Sequence, residues 1–321
     1  MIADLFRDVL YGIAVGDAVG NPLEFKSKVT HDDFRASAEK EHLRVSDDTQ
    51  MTLFCHESLQ AIGNQPQRAE NALQEGYLRW FKTQTGKREL ASTGLLQFES
   101  MYSVEAPGRT CIGSLRALAA GRKVENDSKG NGTVMRCAPI AFWAHQHGLD
   151  YSIAYEVASI DALLTHKHPM ASLSSVLLTG IHLRLMDGMA FQDAVEGALS
   201  DPDIPLTPSV EGMLFNALSD SVARSRQRDE LGGWVAEEAL ALAVGAVAGA
   251  TDYMDAIRAA SCIGGDSDTV AGIAGGLAAA AGLTAPEQLC TRINVRATID
   301  YLTQPSVGTL GCSFVSQVGA L

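Results

Sequence analysis

The chain has 321 residues, of which 46% are hydrophobic and 20% charged, and 38 Asp and Glu against 25 Lys and Arg give a net charge of −13. That length and apolar share suffice for one large domain with a full core, and they exclude a disordered chain. The acidic balance argues against a general nucleic-acid binder, which needs a basic face to displace counterions. At the N-terminus, Asp4, Arg7 and Asp8 stand where a signal peptide needs a basic start and an apolar run. Ala- and Leu-rich segments with the i, i+3, i+4, i+7 stripe predict helices at 4–19, 51–63, 69–81, 110–120, 153–164, 172–186, 191–199, 209–225, 235–248, 253–260 and 269–281. Between them, 26–44, 83–108 and 123–133 are the least regular stretches. The longest uncharged apolar run, 269–283, is shorter than the roughly 20 residues a spanning helix needs, so it reads as a buried helix and the chain as no membrane protein. Aromatic residues make up 6%, and alternating β-branched runs are nearly absent. The expected fold is therefore all-α, a single compact helical bundle over 1–321, with no linker dividing it. Cys55, Cys111, Cys137, Cys262, Cys290 and Cys312 are scattered without a C-x-x-C pair, which fits reduced thiols and a cytoplasmic setting.

Glycine recurs at every fourth residue in Gly12, Gly16 and Gly20, and again at Gly272 and Gly276. On a helix this spacing strips one face of side chains and lets a neighbouring backbone come close.

Two acidic clusters precede apolar helices: Ser46-Asp47-Asp48-Thr49 and Gly264-Gly265-Asp266-Ser267-Asp268-Thr269. Taken singly, each reads as a helix cap, since Ser, Thr and Asp satisfy orphan N–H groups and acids suit the helix dipole. Two adjacent carboxylates exceed what capping requires, and about 4 Å apart they repel by roughly 4 kcal/mol at an effective dielectric near 20. Should the clusters meet in space, cations are needed to hold them ionised. The hard oxygen donors favour Mg²⁺, Mn²⁺ or Ca²⁺ over zinc. The pairs His145/His147 and His166/His168 have no cysteine or third histidine at zinc-site spacing. A Gly130-Asn131-Gly132-Thr133 loop suits an anion, because its backbone N–H groups can converge; as a lone motif it is more often just a turn.

The run Gly12 to Gly20 followed by Glu24-Phe25, the two acidic clusters, Gly130 to Arg136, Thr165-His166 and Gly233-Trp234-Val235-Ala236-Glu237-Glu238-Ala239-Leu240 together resemble the ADP-ribosylglycohydrolases of the dinitrogenase-reductase-activating type. The blocks occur in family order over most of the chain. The resemblance implies an orthogonal helical bundle with two Mg²⁺ or Mn²⁺ ions in a central cleft. It implies metal ligands at Ser46, Asp47, Asp48, Asp266, Asp268 and Thr269. Glu24 becomes a general base or movable metal partner, with Asp266 or Asp268 orienting the attacking water. Gly130, Asn131, Gly132 and Thr133 correspond to a diphosphate cradle, and His166 to a wall of the substrate pocket. Where many relatives carry an Asp-Ile-Gly turn after a tryptophan, this chain has Gly86-Lys87-Arg88-Glu89-Leu90.

The expected activity is metal-dependent hydrolysis of the bond between C1″ of ADP-ribose and a modified protein side chain, arginine in preference to serine, through an oxocarbenium-like state. One alternative is a binding or immunity protein that occludes an ADP-ribosyltransferase through 26–44 or 83–108. Another is a hydrolase of free ADP-ribose derivatives.

Overall fold

A computed structural model describes residues 2–86, 88–219 and 230–304. Among the described residues there are fifteen α-helices and two isolated β-bridges, with no strand. In chain order they are α1 (Ile2–Gly20), α2 (His31–Ala38), α3 (Asp47–Ile62), α4 (Ala69–Thr85), α5 (Arg109–Ala119), α6 (Ala138–Gln146), α7 (Tyr151–Thr165) and α8 (Pro169–Met186). There follow α9 (Phe191–Leu199), α10 (Pro208–Leu218), α11 (Ala236–Ala248), α12 (Tyr253–Ser261), α13 (Ser267–Ala280), α14 (Glu287–Cys290) and α15 (Arg296–Thr303). The all-α expectation is met. The helix expected over 209–225 ends at Leu218, and positions 220–225 and Cys312 lie outside the described residues.

The stretch 26–44, read from sequence as irregular, contains α2. A capping box starts it: the Asp33 N–H donates to Thr30 Oγ1 at 3.2 Å, and the Thr30 N–H donates to Asp33 Oδ2 at 2.9 Å. Helix α6 escaped the periodicity because Ala138 to Ala144 are all buried, which leaves no polar face to mark the period.

Helices α1 and α13 run antiparallel along the centre of the bundle with their backbones in contact. A Cβ added to Gly12 would stand 2.3 Å from the Gly275 carbonyl oxygen, one on Gly16 2.1 Å from that of Ala271, and one on Gly20 2.5 Å from that of Ser267. No side chain larger than hydrogen fits at those three places. On the facing helix the close backbone contact falls on Gly275, whereas the atom nearest a Cβ on Gly272 is Asp17 Cβ, at 3.6 Å. All fourteen residues of α13 are buried, so its glycine cost is offset by contact on every side. This crossing brings the C-terminal end of α1, and Glu24 beyond it, beside the N-terminal end of α13.

A second buried anchor lies under the glycine loop. Arg136 and Asp161 are both 0% exposed; Arg136 Nε donates to Asp161 Oδ2 at 3.0 Å, and Tyr77 Oη donates to Asp161 Oδ1 at 2.5 Å. Arg136 Nη1 also donates to the Gly132 carbonyl at 2.9 Å, and Nη2 to Thr165 Oγ1 at 3.0 Å. The guanidinium thus ties Gly132 of the loop to the end of α7. Of the cysteines, Cys55, Cys111, Cys137 and Cys290 are buried, and among the described residues there is no disulfide. No helix among the described residues is long and apolar enough to cross a membrane.

Candidate active site

The two acidic clusters meet. A cavity of about 560 Å³ is lined by Glu24, Asp47, Asp48, Asp266, Asp268 and Thr269, together with Gly130, Asn131, Gly132 and His166. Carboxylate oxygens of Glu24, Asp266 and Asp268 lie within 4.8 Å of one another, close enough to hold a metal ion. Asp266 occupies the N-cap position of α13 yet makes no capping hydrogen bond. Its Oδ2 instead accepts from Asn131 Nδ2 at 2.8 Å, and the same amide reaches the Gly233 carbonyl at 2.8 Å. Capping therefore does not account for this residue. Asp47 accepts from the Gly108 N–H at 3.1 Å, which draws the loop before α5 over the cavity. Asp48 Oδ2 is buried without any hydrogen-bond partner. A buried orphan acceptor beside four further carboxylates is a site that a hard cation satisfies, and the donor set of carboxylates and a threonine hydroxyl suits a hard divalent ion.

Two residues assigned from sequence stand elsewhere. Ser46 does not line the cavity; its hydroxyl caps α3, accepting from the Asp48 N–H at 3.2 Å. Thr133 is buried beneath the loop, and its hydroxyl donates to the Ala171 carbonyl at 3.0 Å, which ties the loop to α8. Within the loop itself, the Gly130 N–H donates to Ser128 Oγ at 3.3 Å and the Asn131 N–H to the Trp234 carbonyl at 3.3 Å. These two donors are already engaged. The glycines also make room for a side chain: a Cβ on Gly132 would lie 3.0 Å from His166 Cε1 and 2.8 Å from Cys111 Sγ, and one on Gly130 3.2 Å from His166 Nε2. They let the imidazole come close against the loop.

Asp17 is the principal residue without a role in the sequence reading. It is fully buried on α1, and its carboxylate accepts the Ser46 N–H at 2.9 Å, the Thr49 N–H at 3.1 Å and the Thr49 hydroxyl at 2.5 Å. One side chain thus holds the first turn of α3, and with it Asp47 and Asp48, against α1. The signal was present: an acid at the centre of a glycine-spaced apolar helix has no solvent face to occupy.

The electrostatics follow from burial and crowding. Burial, then the charges of Asp266, Asp47 and Asp17, pushes Glu24 up to about 8. Asp47 is raised to about 7, chiefly by burial and further by Asp17 and Asp266, against the Gly108 hydrogen bond. Asp48 and Asp268 are raised well above the carboxylate range, again by burial first and by neighbouring carboxylates second. Asp17, buried yet hydrogen-bonded by Ser46 and Thr49, rises only to about 6. Without cations the cluster is therefore partly protonated at neutral pH. His166 moves the other way, down to about 3, through burial and the Arg136 charge, and is neutral. Thr165 Oγ1 receives Arg136 Nη2 and lies 2.9 Å from His166 Nδ1.

The cavity rim is strained. Phe25 (φ 64°) and Ala106 (φ 48°) are the two non-glycine residues with positive φ among the described residues, and both line this cavity. Such backbone costs on the order of 1–3 kcal/mol per residue and concentrates at functional sites.

An all-helical bundle whose central cavity gathers carboxylates from two distant helix starts defines a class, and comparison with known proteins identifies it. The chain belongs to the ADP-ribosylglycohydrolase family, whose model matches residues 1–304. It is 26% identical over 288 residues to the ADP-ribosylarginine hydrolase Tri1 of Serratia proteamaculans (strain 568), covering 86% of this chain and 71% of that protein. To the Tri1 of Pseudomonas putida (strain GB-1) it is 27% identical over 294 residues, covering 86% and 70%. Among solved structures, one described as an ADP-ribosylglycohydrolase-related protein complex superposes with a TM-score of 0.70 at 22% identity, covering 94% of this chain and 96% of that one, which shows the shared fold.

Proposed function

We propose that the protein is a metal-dependent hydrolase that removes ADP-ribose from modified arginine side chains of proteins. The observation that carries this reading is the convergence of Glu24, Asp266 and Asp268 oxygens within 4.8 Å in the cavity of a chain of this family. The arginine preference is supported by the two relatives named as ADP-ribosylarginine hydrolases.

Asp47, Asp48, Asp266, Asp268 and Thr269 would hold two cations, Mg²⁺ or Mn²⁺, with Glu24 at the edge of the set. When bound, these ions neutralise the carboxylates and lower the pKa of water at the site. Glu24 is half-buried at the edge of the set, and with cations held by the neighbouring carboxylates its own would be ionised, so it suits the role of general base: it accepts a proton from the water that attacks C1″. As that water adds, the C1″–N bond breaks through an oxocarbenium-like state, and the proton held by Glu24 passes to the departing guanidine, which leaves as guanidinium. Asn131 fixes the Asp266 carboxylate while this occurs. Neutral His166, packed on Gly130 and Gly132, orients the substrate without adding charge.

The test is release of ADP-ribose from arginine-linked and serine-linked protein substrates side by side, with Mg²⁺ or Mn²⁺ and after chelation. Metal-dependent release from the arginine-linked substrate is expected, and Asp268→Asn is expected to lower the rate about 100-fold or more while the fold is kept. Absence of release from both substrates overturns the proposal.

A further inference from the structure

Two large aromatic side chains stand exposed at the rim of the cavity. Phe25 is 67% and Trp234 43% exposed, yet their rings stack at 5.4 Å between centroids and 23° between planes. Both line the cavity. Neither is placed by core packing; both are placed by backbone. Phe25 holds its positive φ with its N–H donating to the Gly265 carbonyl at 3.3 Å. The Trp234 indole lies on Gly232, where a Cβ would stand 2.7 Å from Cδ1, and Gly233 supplies the φ of 73° that turns the chain there. A Cβ on Gly265 would lie 2.1 Å from the Gly232 carbonyl oxygen, so the strap carrying Trp234 is locked to the segment carrying Asp266. Strained backbone, two close-approach glycines and exposed apolar surface are maintained together at one edge of the site.

We propose that Phe25 and Trp234, whose rings already stack on each other, form an aromatic bracket whose open ring face takes the alkyl-guanidinium of the modified arginine, and so set the preference for an arginine leaving group. This inference rests on the reading of the site as an ADP-ribosylarginine hydrolase. Phe25 follows Glu24 directly, and the Gly233 carbonyl before Trp234 shares the Asn131 amide with Asp266. The bracket is therefore one residue from the carboxylates at the reacting centre, where a leaving group sits. The adenine of ADP-ribose is separated from C1″ by a ribose, two phosphates and a second ribose, which takes it away from this edge. A planar cation lies well against ring faces. A serine side chain offers neither plane nor charge.

The protein carries its own probe. Trp80 and Trp143 are fully buried, which leaves Trp234 as the tryptophan a rim ligand reaches. Metal-loaded protein saturated with ADP-ribose is titrated with agmatine, an alkylguanidine, while tryptophan fluorescence is followed. Saturable quenching is expected. Phe25→Ala is expected to weaken agmatine about tenfold while the affinity for ADP-ribose alone changes by less than about twofold. Phe25→Gly, which also relieves the backbone, should behave as Phe25→Ala does. If Phe25→Ala and Trp234→Ala weaken ADP-ribose itself by the same factor as agmatine, the rings serve the nucleotide and the proposal falls. It falls equally if agmatine leaves the fluorescence unchanged. Turnover of ADP-ribosylarginine by the unaltered protein is measured in parallel: no turnover with intact agmatine binding removes the hydrolase reading and keeps the bracket, whereas turnover without agmatine binding does the reverse.

Discussion

Removing the cations should make the protein's stability fall as pH rises, and the fall can be sized from one residue. Asp47 is 6% exposed, and its carboxyl is moved from 3.8 to about 7 in the folded chain without cations. Between those values the folded state keeps the proton that the unfolded state has lost, so stability decreases with pH over this window and levels off above it. From about pH 5 to about pH 7 the window spans two units, worth roughly 3 kcal/mol at 1.36 kcal/mol per unit. An unfolding entropy of about 2.1 cal/mol/K per residue converts this to a drop of roughly 4 °C in Tm for a chain of this size. Glu24, pushed up to about 8, acts in the same direction and extends the window upward. The assay is thermal unfolding of chelated and of Mg²⁺- or Mn²⁺-loaded protein across this pH range. The gap between loaded and chelated Tm should widen towards neutral pH, because deprotonation both destabilises the empty cluster and prepares it for cations. A gap that is constant, or that narrows from pH 5 to pH 8, refutes the assignment of these carboxylates to a shared cation site.

Other substitutions separate the scaffold from the chemistry. Asp17→Ala leaves the Ser46 and Thr49 backbone donors and the Thr49 hydroxyl without their acceptor, a loss of about 3 kcal/mol or more in denaturant unfolding, accompanied by weaker metal binding measured by calorimetry. Gly16→Ala puts a Cβ 2.1 Å from the Ala271 carbonyl oxygen and should lower stability by more than about 3 kcal/mol, whereas Gly113→Ala, with nothing within 4 Å and a place inside α5, should raise it by up to about 1 kcal/mol. Asp161→Asn leaves the Arg136 charge buried without its partner, at a cost of about 3–5 kcal/mol in the same unfolding measurement.

The acidic residues of the site were legible because their number exceeded what capping needs. Asp266 makes no cap bond at all, and Asp47 and Asp48 line the same cavity as Asp266 and Asp268 although more than two hundred residues lie between. Ser46 and Thr133 show what a short motif leaves open: it tells which residues are together, not which way each side chain turns. Ser46 turns back to its own helix and Thr133 to α8. The role of Asp17 depends on where α3 begins in space relative to α1, which no local pattern encodes. Helix α2 was readable from Thr30 and Asp33 as a capping box. Helix α6, buried around its length, left periodicity nothing to detect.

The bare-backbone crossing of α1 and α13 has a bearing on how the reaction centre tolerates change. Asp17, and Glu24 shortly after it, hang from one of these rods; Asp266 and Asp268 stand at the head of the other. Because the rods touch through carbonyls and α-carbons, the spacing between the acids is a ruler graduated in main-chain atoms. Swapping one aliphatic side chain for another elsewhere in the bundle leaves that ruler unread, while a single added methyl at Gly12, Gly16 or Gly20 changes its length.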